Sequence, residues 1–231
     1  MRIGRYEVSS LGKDGLWIGH TDEGLPVLAR TAHRDDVYIY EQARMLGGLD
    51  AATPFRLYDF VLDDITELAA FVLTLPGPVR KLADAVSEGG PLSSAVGVAR
   101  ALESLHSARI AYRNVSVDSF LFSEGWGIPH DFSRASQMGT DENARLVTGI
   151  PYDDRISAQT RGQTSFDAPE VRAATFDGVA ADIYAFGILM RTIGLEEQYG
   201  NLVRSMTHRD PAMRPRSMEV VIATLLAPTS P

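Results

Sequence analysis

The first third of the chain alternates on a period of two. Residues 5–11, 15–20 and 25–30 are short β-prone segments, and Thr21, Asp22, Glu23 and Gly24 supply a turn, so an antiparallel meander is expected. One helix interrupts it: 38–46 carries Ile39, Ala43 and Leu46 at helical spacing, and Gly47-Gly48 ends it. Strands at 55–62 and 67–75 follow. After Pro76-Gly77-Pro78 the period changes to 3.6, with helices expected at 79–86 and 92–108 and an apolar stripe of Val96, Ala99, Leu102 and Leu105. That switch places a boundary at 76–78.

Farther on, 112–122 and 127–132 read as short β-like segments. Residues 133–167, rich in Gly, Ser, Thr, Asp and Gln, read as a long surface loop. Helices are expected at 168–174, 181–193, 198–206 and 217–226, then a tail at 227–231. No internal repeat is present.

Composition narrows the function classes. The 231 residues are 45% hydrophobic and 23% charged, which is globular. A net charge of −8 argues against nucleic acid as a partner, since backbone phosphates require clustered cations. The absence of cysteine excludes disulfides and thiolate chemistry. The longest apolar run, 183–190, is eight residues, far below the ~18–20 of a membrane span. Residues 1–7 lack a secretory apolar core, so a cytoplasmic protein with no membrane partner is expected. His20, His33, His106, His130 and His208 show no metal-ligand spacing and read as structural or surface residues. The acidic run 59–67 reads first as a solvated hairpin and second as a partner surface.

Five phrases then occur in a set order. The segment 101–114 ends Tyr112-Arg113-Asn114, and Asp131-Phe132-Ser133 begins seventeen residues beyond Asn114. Ala168-Pro169-Glu170 follows, then Asp182-Ile183-Tyr184-Ala185-Phe186-Gly187, then Arg209-Asp210-Pro211-Ala212-Met213-Arg214-Pro215. Together they resemble the His-Arg-Asp, Asp-Phe-Gly, Ala-Pro-Glu, Asp-x-(Trp/Tyr)-x-Phe-Gly and Asp-Pro-x-x-Arg-Pro elements of eukaryotic-type protein kinases. The resemblance covers about residues 5–226. It implies an α+β, bilobal kinase-like fold: a small antiparallel-sheet N-lobe with one helix (1–75), a hinge (76–78), a larger helical C-lobe (79–226) and a tail (227–231). It further implies an ion pair between Glu170 and Arg214, and a role for Asp182 in holding the catalytic-loop backbone.

Against that pattern, the catalytic positions depart. The family's general base, worth roughly a hundred- to ten-thousand-fold, is replaced by Asn114, a neutral carboxamide. Ser119 stands at the second metal position and Arg30 where the third-strand lysine should be. Glu41, its implied helix partner, is only eleven residues on. Against the glycine-rich loop, Gly12, Asp14 and Trp17 align while Gly15 and Gly19 fall out of phase, and Gln163 replaces a threonine. Asp131 remains as a ligand for one magnesium ion, or as a turn-forming Asp. Arg30 reads as a phosphate or Glu41 partner, or as a strand-end surface residue; Asn114 reads chiefly as a hydrogen-bonding support of its loop. Arg113 corresponds to a family residue that receives an activation-loop phosphate, for which Thr148, Thr160, Thr164 and Ser165 are candidates.

The resemblance thus implies a pseudokinase that binds a protein partner, a kinase or its substrate among the candidates, with Mg-ATP bound weakly or not at all. The alternatives are an unconventional ATP-dependent protein kinase and a nucleotide sensor, both using Asp131 for metal.

Overall fold

The computed structural model describes residues 1–12, 15–138, 166–172 and 177–227. Asp14, Gln163 and the phosphorylation candidates Thr148, Thr160, Thr164 and Ser165 lie outside the described residues, as does most of the 133–167 segment. The chain divides into two compact units, Met1–Val79 and Arg80–Pro231.

The first unit is a six-stranded antiparallel sheet. Its strands are β1 (Arg2–Ile3), β2 (Tyr6–Ser10), β3 (Leu16–His20), β4 (Pro26–His33), β5 (Leu57–Asp63) and β6 (Leu68–Thr74), ordered β1-β2-β3-β4-β6-β5. Alternation sends Ile3, Tyr6, Val8, Val27, Ala29, Ala70 and Val72 to one face, where they form a buried core with Trp17 and Val61 against it. The intervening Leu28, Phe71 and Leu73 are buried as well, and α1 (Val37–Leu46) packs against β5 and β6. The helix begins where the Asp36 side chain accepts from the Tyr38 amide, and it turns Ile39, Ala43 and Leu46 inward as their spacing requires.

The sheet curls until its edges nearly meet. A Cβ on Gly4, whose φ is +54°, would lie 2.7 Å from the Val61 side chain on β5, so only glycine allows this approach. Beside it, the Tyr6 hydroxyl donates to Asp59 at 2.7 Å and the Arg5 guanidinium reaches the same oxygen at 3.0 Å.

The second unit is organised on α3 (Pro91–Ser107), which packs against α4 (Gly178–Thr192) and α6 (Met218–Leu226); α5 (Glu196–Met206) packs on α4, and α2 (Leu82–Gly89) on α3. Its described residues also carry five strands. β7 (Arg80–Lys81), β9 (Phe120–Ser123) and β10 (Trp126–Pro129) form one sheet, and β8 (Ile110–Ala111) pairs with β11 (Ser136–Gln137).

These findings correct the expected fold class. The first unit is not the small antiparallel-sheet N-lobe of a kinase-like fold but a nearly closed, barrel-like six-stranded sheet, and the second is not the helical C-lobe expected, since its described residues carry strands beside the helices. The physical reason is length: β1, β7, β8 and β11 have two residues each, too few for a period-two signal, and their positions are set by pairing partners distant in sequence. The segment 112–119 is likewise loop and a 3₁₀ turn (Val117–Ser119) rather than strand, and of the helix expected at 168–174 the described part is a 3₁₀ turn, Pro169–Arg172.

Candidate functional site

The β8–β11 pairing pins both ends of the segment that carries most of the motif residues, Tyr112 to Ala135. Its first turn is held from below by α4. Asp182 is fully buried on a helix whose other inward positions include Ala181, Ile183, Ala185 and Phe186, and its two oxygens accept from the Tyr112 amide at 2.8 Å and the Arg113 amide at 2.7 Å. His106 on α3 brings Nε2 to the same carboxylate at 2.9 Å, with a side chain 7% exposed. Three polar partners are what a buried carboxylate needs to be tolerated. They also hold Arg113 at φ +59°, in the left-handed region.

Asn114 follows, buried at 3% exposure. Its Nδ2 donates to the Asp131 carbonyl at 3.1 Å, while Oδ1 is buried without a hydrogen-bond partner. Asp131 Oδ1 accepts from the Ser133 amide at 3.2 Å, an Asx turn that bends the chain after Phe132. Ser119 is buried and committed: its hydroxyl donates to the Ser116 carbonyl at 3.0 Å and accepts from the Ser116 amide at 2.9 Å. Tyr112 fastens this end of the segment, with its hydroxyl on the Ser119 carbonyl at 2.9 Å and its ring 5.2 Å from Phe120 and 5.5 Å, edge-on, from Phe132. Burial raises the Tyr112 phenol well above its ordinary pKa, and the charge of Asp131 adds to the rise.

Two ion pairs flank the loop. Arg214, with a side chain fully shielded, donates to both oxygens of Glu170 at 2.5 and 2.9 Å; it also donates to the carbonyls of Ala180 and His208, each at 2.9 Å, and lies over the Tyr184 ring at 4.8 Å. Arg134, nearly as buried, pairs with Asp167 at 3.1 Å. Arg113, Asn114, Arg134, Asp167 and Asp182 all line one cavity of about 10 Å³. That is room for about one water.

The four residues expected to face nucleotide in the first unit have local structural partners or positions instead. Gly15 is hydrogen-bonded through its carbonyl to the Thr31 amide at 2.8 Å, so it serves the β3–β4 pairing. The Gly12 amide donates to the Ser10 hydroxyl at 3.1 Å. Arg30 lies on β4 opposite Leu16 and Phe71, and Glu41 accepts from Arg44 on its own helix at 2.9 and 3.1 Å. Trp17, aligned above with a loop position, lies within β3, its indole bonded to Thr31 at 3.0 Å.

Among the described residues no three of His, Asp and Glu converge as a metal site. Ser119 is engaged with Ser116 as both donor and acceptor, and the Asp131 carboxylate already accepts from the Ser133 amide. One carboxylate suits at most a single, weakly held magnesium ion. Sequence reasoning missed His106, Arg134 and Asp167. For His106 a signal existed, because it stands four residues after Leu102 on the apolar stripe of α3. Among the described residues no helix is long and apolar enough to cross a membrane. No protein-family model and no curated protein matches the chain.

Proposed function

We propose that the chain is a pseudokinase, a catalytically impaired relative of protein kinases that works in the cytoplasm by binding a protein partner and transfers no phosphate. The observation that carries this reading is the setting of Asn114. A side chain meant to take a proton must be ionisable and face its substrate; this one is a neutral carboxamide whose nitrogen is spent on the Asp131 carbonyl. Around it the loop backbone is anchored on Asp182, and Glu170 pairs with Arg214. Maintained scaffolding with no general base is what a binding role requires and a transfer role does not.

Thermal-shift titration with Mg-ATP, paired with release of the γ-phosphate, tests the reading. The expected result is no saturable stabilisation and no release, because a ligand that binds the folded state raises its stability by mass action. Release that disappears in Asp131→Ala overturns it. A second reading, a nucleotide sensor, is favoured by the buried, unpartnered Oδ1 of Asn114, and it predicts saturable stabilisation without release.

A further inference from the structure

One end of the first unit exposes apolar side chains on a rigid frame. The turn between β5 and β6 is closed by Asp63, whose Oδ1 accepts from the Ile65 amide at 3.0 Å and the Thr66 amide at 3.2 Å; these bonds hold its carboxyl below the ordinary carboxylate range, and Glu67 completes the turn at φ +55°. Ile65 stands at the tip, 95% exposed. Leu62 on β5 is 57% exposed, and Val37, the first residue of α1, is 66% exposed.

Arg34 ties these elements together. Its amide donates to the Glu67 carbonyl at 2.9 Å, its guanidinium reaches Asp64 at 3.2 Å, and its carbonyl accepts the Tyr40 hydroxyl of α1 at 2.7 Å. The Tyr40 ring lies 5.2 Å from Phe60. Val37, Tyr40, Leu62 and Ile65 are therefore presented around one hub, with no mobile loop to order first. Pre-ordering of this kind removes part of the entropic cost of association. Apolar side chains exposed together and rimmed by polar groups mark interaction surfaces.

The rim states the partner's chemistry. Residues 33–36 and 63–67 hold five carboxylates, Asp35, Asp36, Asp63, Asp64 and Glu67, against the guanidinium of Arg34 and the imidazole of His33, which lies 3.6 Å from Asp35 and 3.7 Å from Glu67. Asp35, Asp64 and Glu67 are largely in solvent. We propose that this surface docks a basic, amphipathic segment of a partner protein, its apolar side chains covering Ile65, Leu62 and Val37 and its cations facing the carboxylate rim. The proposal deepens the protein-binding reading above and rests on it. An acidic segment would be repelled, and so would an anionic membrane surface.

The test is fluorescence anisotropy of the full chain with a labelled peptide of leucine and lysine at amphipathic-helix spacing, about five turns long. A leucine–glutamate peptide of the same pattern and a lysine–serine peptide serve as comparisons. The leucine–lysine peptide is expected to bind saturably and the other two at least tenfold more weakly. Ile65→Ser with Leu62→Ser is expected to weaken binding at least tenfold, and Asp64→Lys to weaken it and flatten its salt dependence. Ile65→Ser alone, at a site almost wholly in water, keeps the test intact if the double variant does not fold. Glu23→Lys and Val220→Ser, exposed elsewhere, are expected to leave affinity unchanged. Equal losses at those sites, or unchanged affinity in the Ile65 and Asp64 variants, overturn the proposal. Phosphate transfer by the chain overturns the pseudokinase reading instead and is read in a different assay.

Discussion

The Arg113 amide donates to Asp182 at 2.7 Å while Arg113 itself sits at φ +59°, so the carboxylate holds in place a backbone turn that the residue does not favour. Such conformations cost about 1–3 kcal/mol and persist only where surrounding bonds over-determine them. Asp182→Asn keeps one acceptor but turns an NH₂ group toward another donor, leaving a buried amide or His106 Nε2 unsatisfied. The expected loss is about 3 kcal/mol of unfolding free energy, the combined effect of a weakened charge-assisted bond and an orphaned donor. Urea unfolding measures it, and a loss within experimental error of zero contradicts the anchoring role.

Placing an acid at position 114 is expected to harm the protein and not to confer phosphate transfer. Asn114→Asp exchanges the Nδ2 donor for a second acceptor facing the Asp131 carbonyl, in a buried position and near the Asp131 charge. The loss of the bond and the burial of an unpaired acceptor are worth about 1–3 kcal/mol. The measurement is the unfolding midpoint together with γ-phosphate release. A variant that matches the parent in stability and turns over ATP contradicts both this account and the proposed function.

Glu170 and Arg214 should be strongly coupled. Removing one partner strands a buried charge, so Glu170→Ala or Arg214→Met alone is expected to cost about 3–5 kcal/mol. The double variant is expected to cost less than the two single losses together, because no charge is then left alone. A double-mutant cycle reads the coupling, and additive losses mean that the pair adds nothing beyond packing.

How far the sequence foretells this arrangement depends on the span of the interaction. α1 is legible because Ile39, Ala43 and Leu46 mark its buried face within a few residues. Glu170 and Arg214 lie 44 residues apart, and no local pattern joins them; only the resemblance of the ordered motifs to a kinase pairs the two. His106 and Asp182 are 76 apart, with no periodicity linking them, so the sequence places His106 only among structural or surface histidines. Closure of the six-stranded sheet was hidden for the same reason: it rests on Gly4 meeting Val61, a contact between a two-residue strand's turn and a distant edge.

Gly12 and Gly15, between β2 and β3, differ in what they do for the sheet. Both have positive φ, +75° at Gly12 and +70° at Gly15. A Cβ at Gly12 meets nothing within 4 Å, whereas one at Gly15 would lie 2.5 Å from the Thr31 carbonyl oxygen. Gly12→Ala is expected to cost about 1 kcal/mol, the penalty of a left-handed alanine. Gly15→Ala should cost distinctly more, since β3 and β4 must part to admit the methyl group. Thermal unfolding of the two variants side by side checks the ranking, and equal losses contradict it.

Alkaline titration should unfold the chain through its buried phenols. The Tyr6 phenol is pushed up to about 12, by burial first and by its hydrogen bond to Asp59 second, from an ordinary value near 10. Between those values the unfolded chain has released the proton and the native one has kept it. The native state therefore binds more protons there, and stability falls as pH rises. Below pH 10 the contribution is fully present, and it is lost as pH climbs through about 12. The Tyr112 phenol, raised further by deeper burial, acts in the same direction. Tyr6→Phe is expected to flatten the stability profile above pH 10, and to remove one phenolate whose absorbance otherwise rises late in the titration. An unchanged profile in that variant means that Tyr6 ionises with the same ease in the folded and unfolded chain.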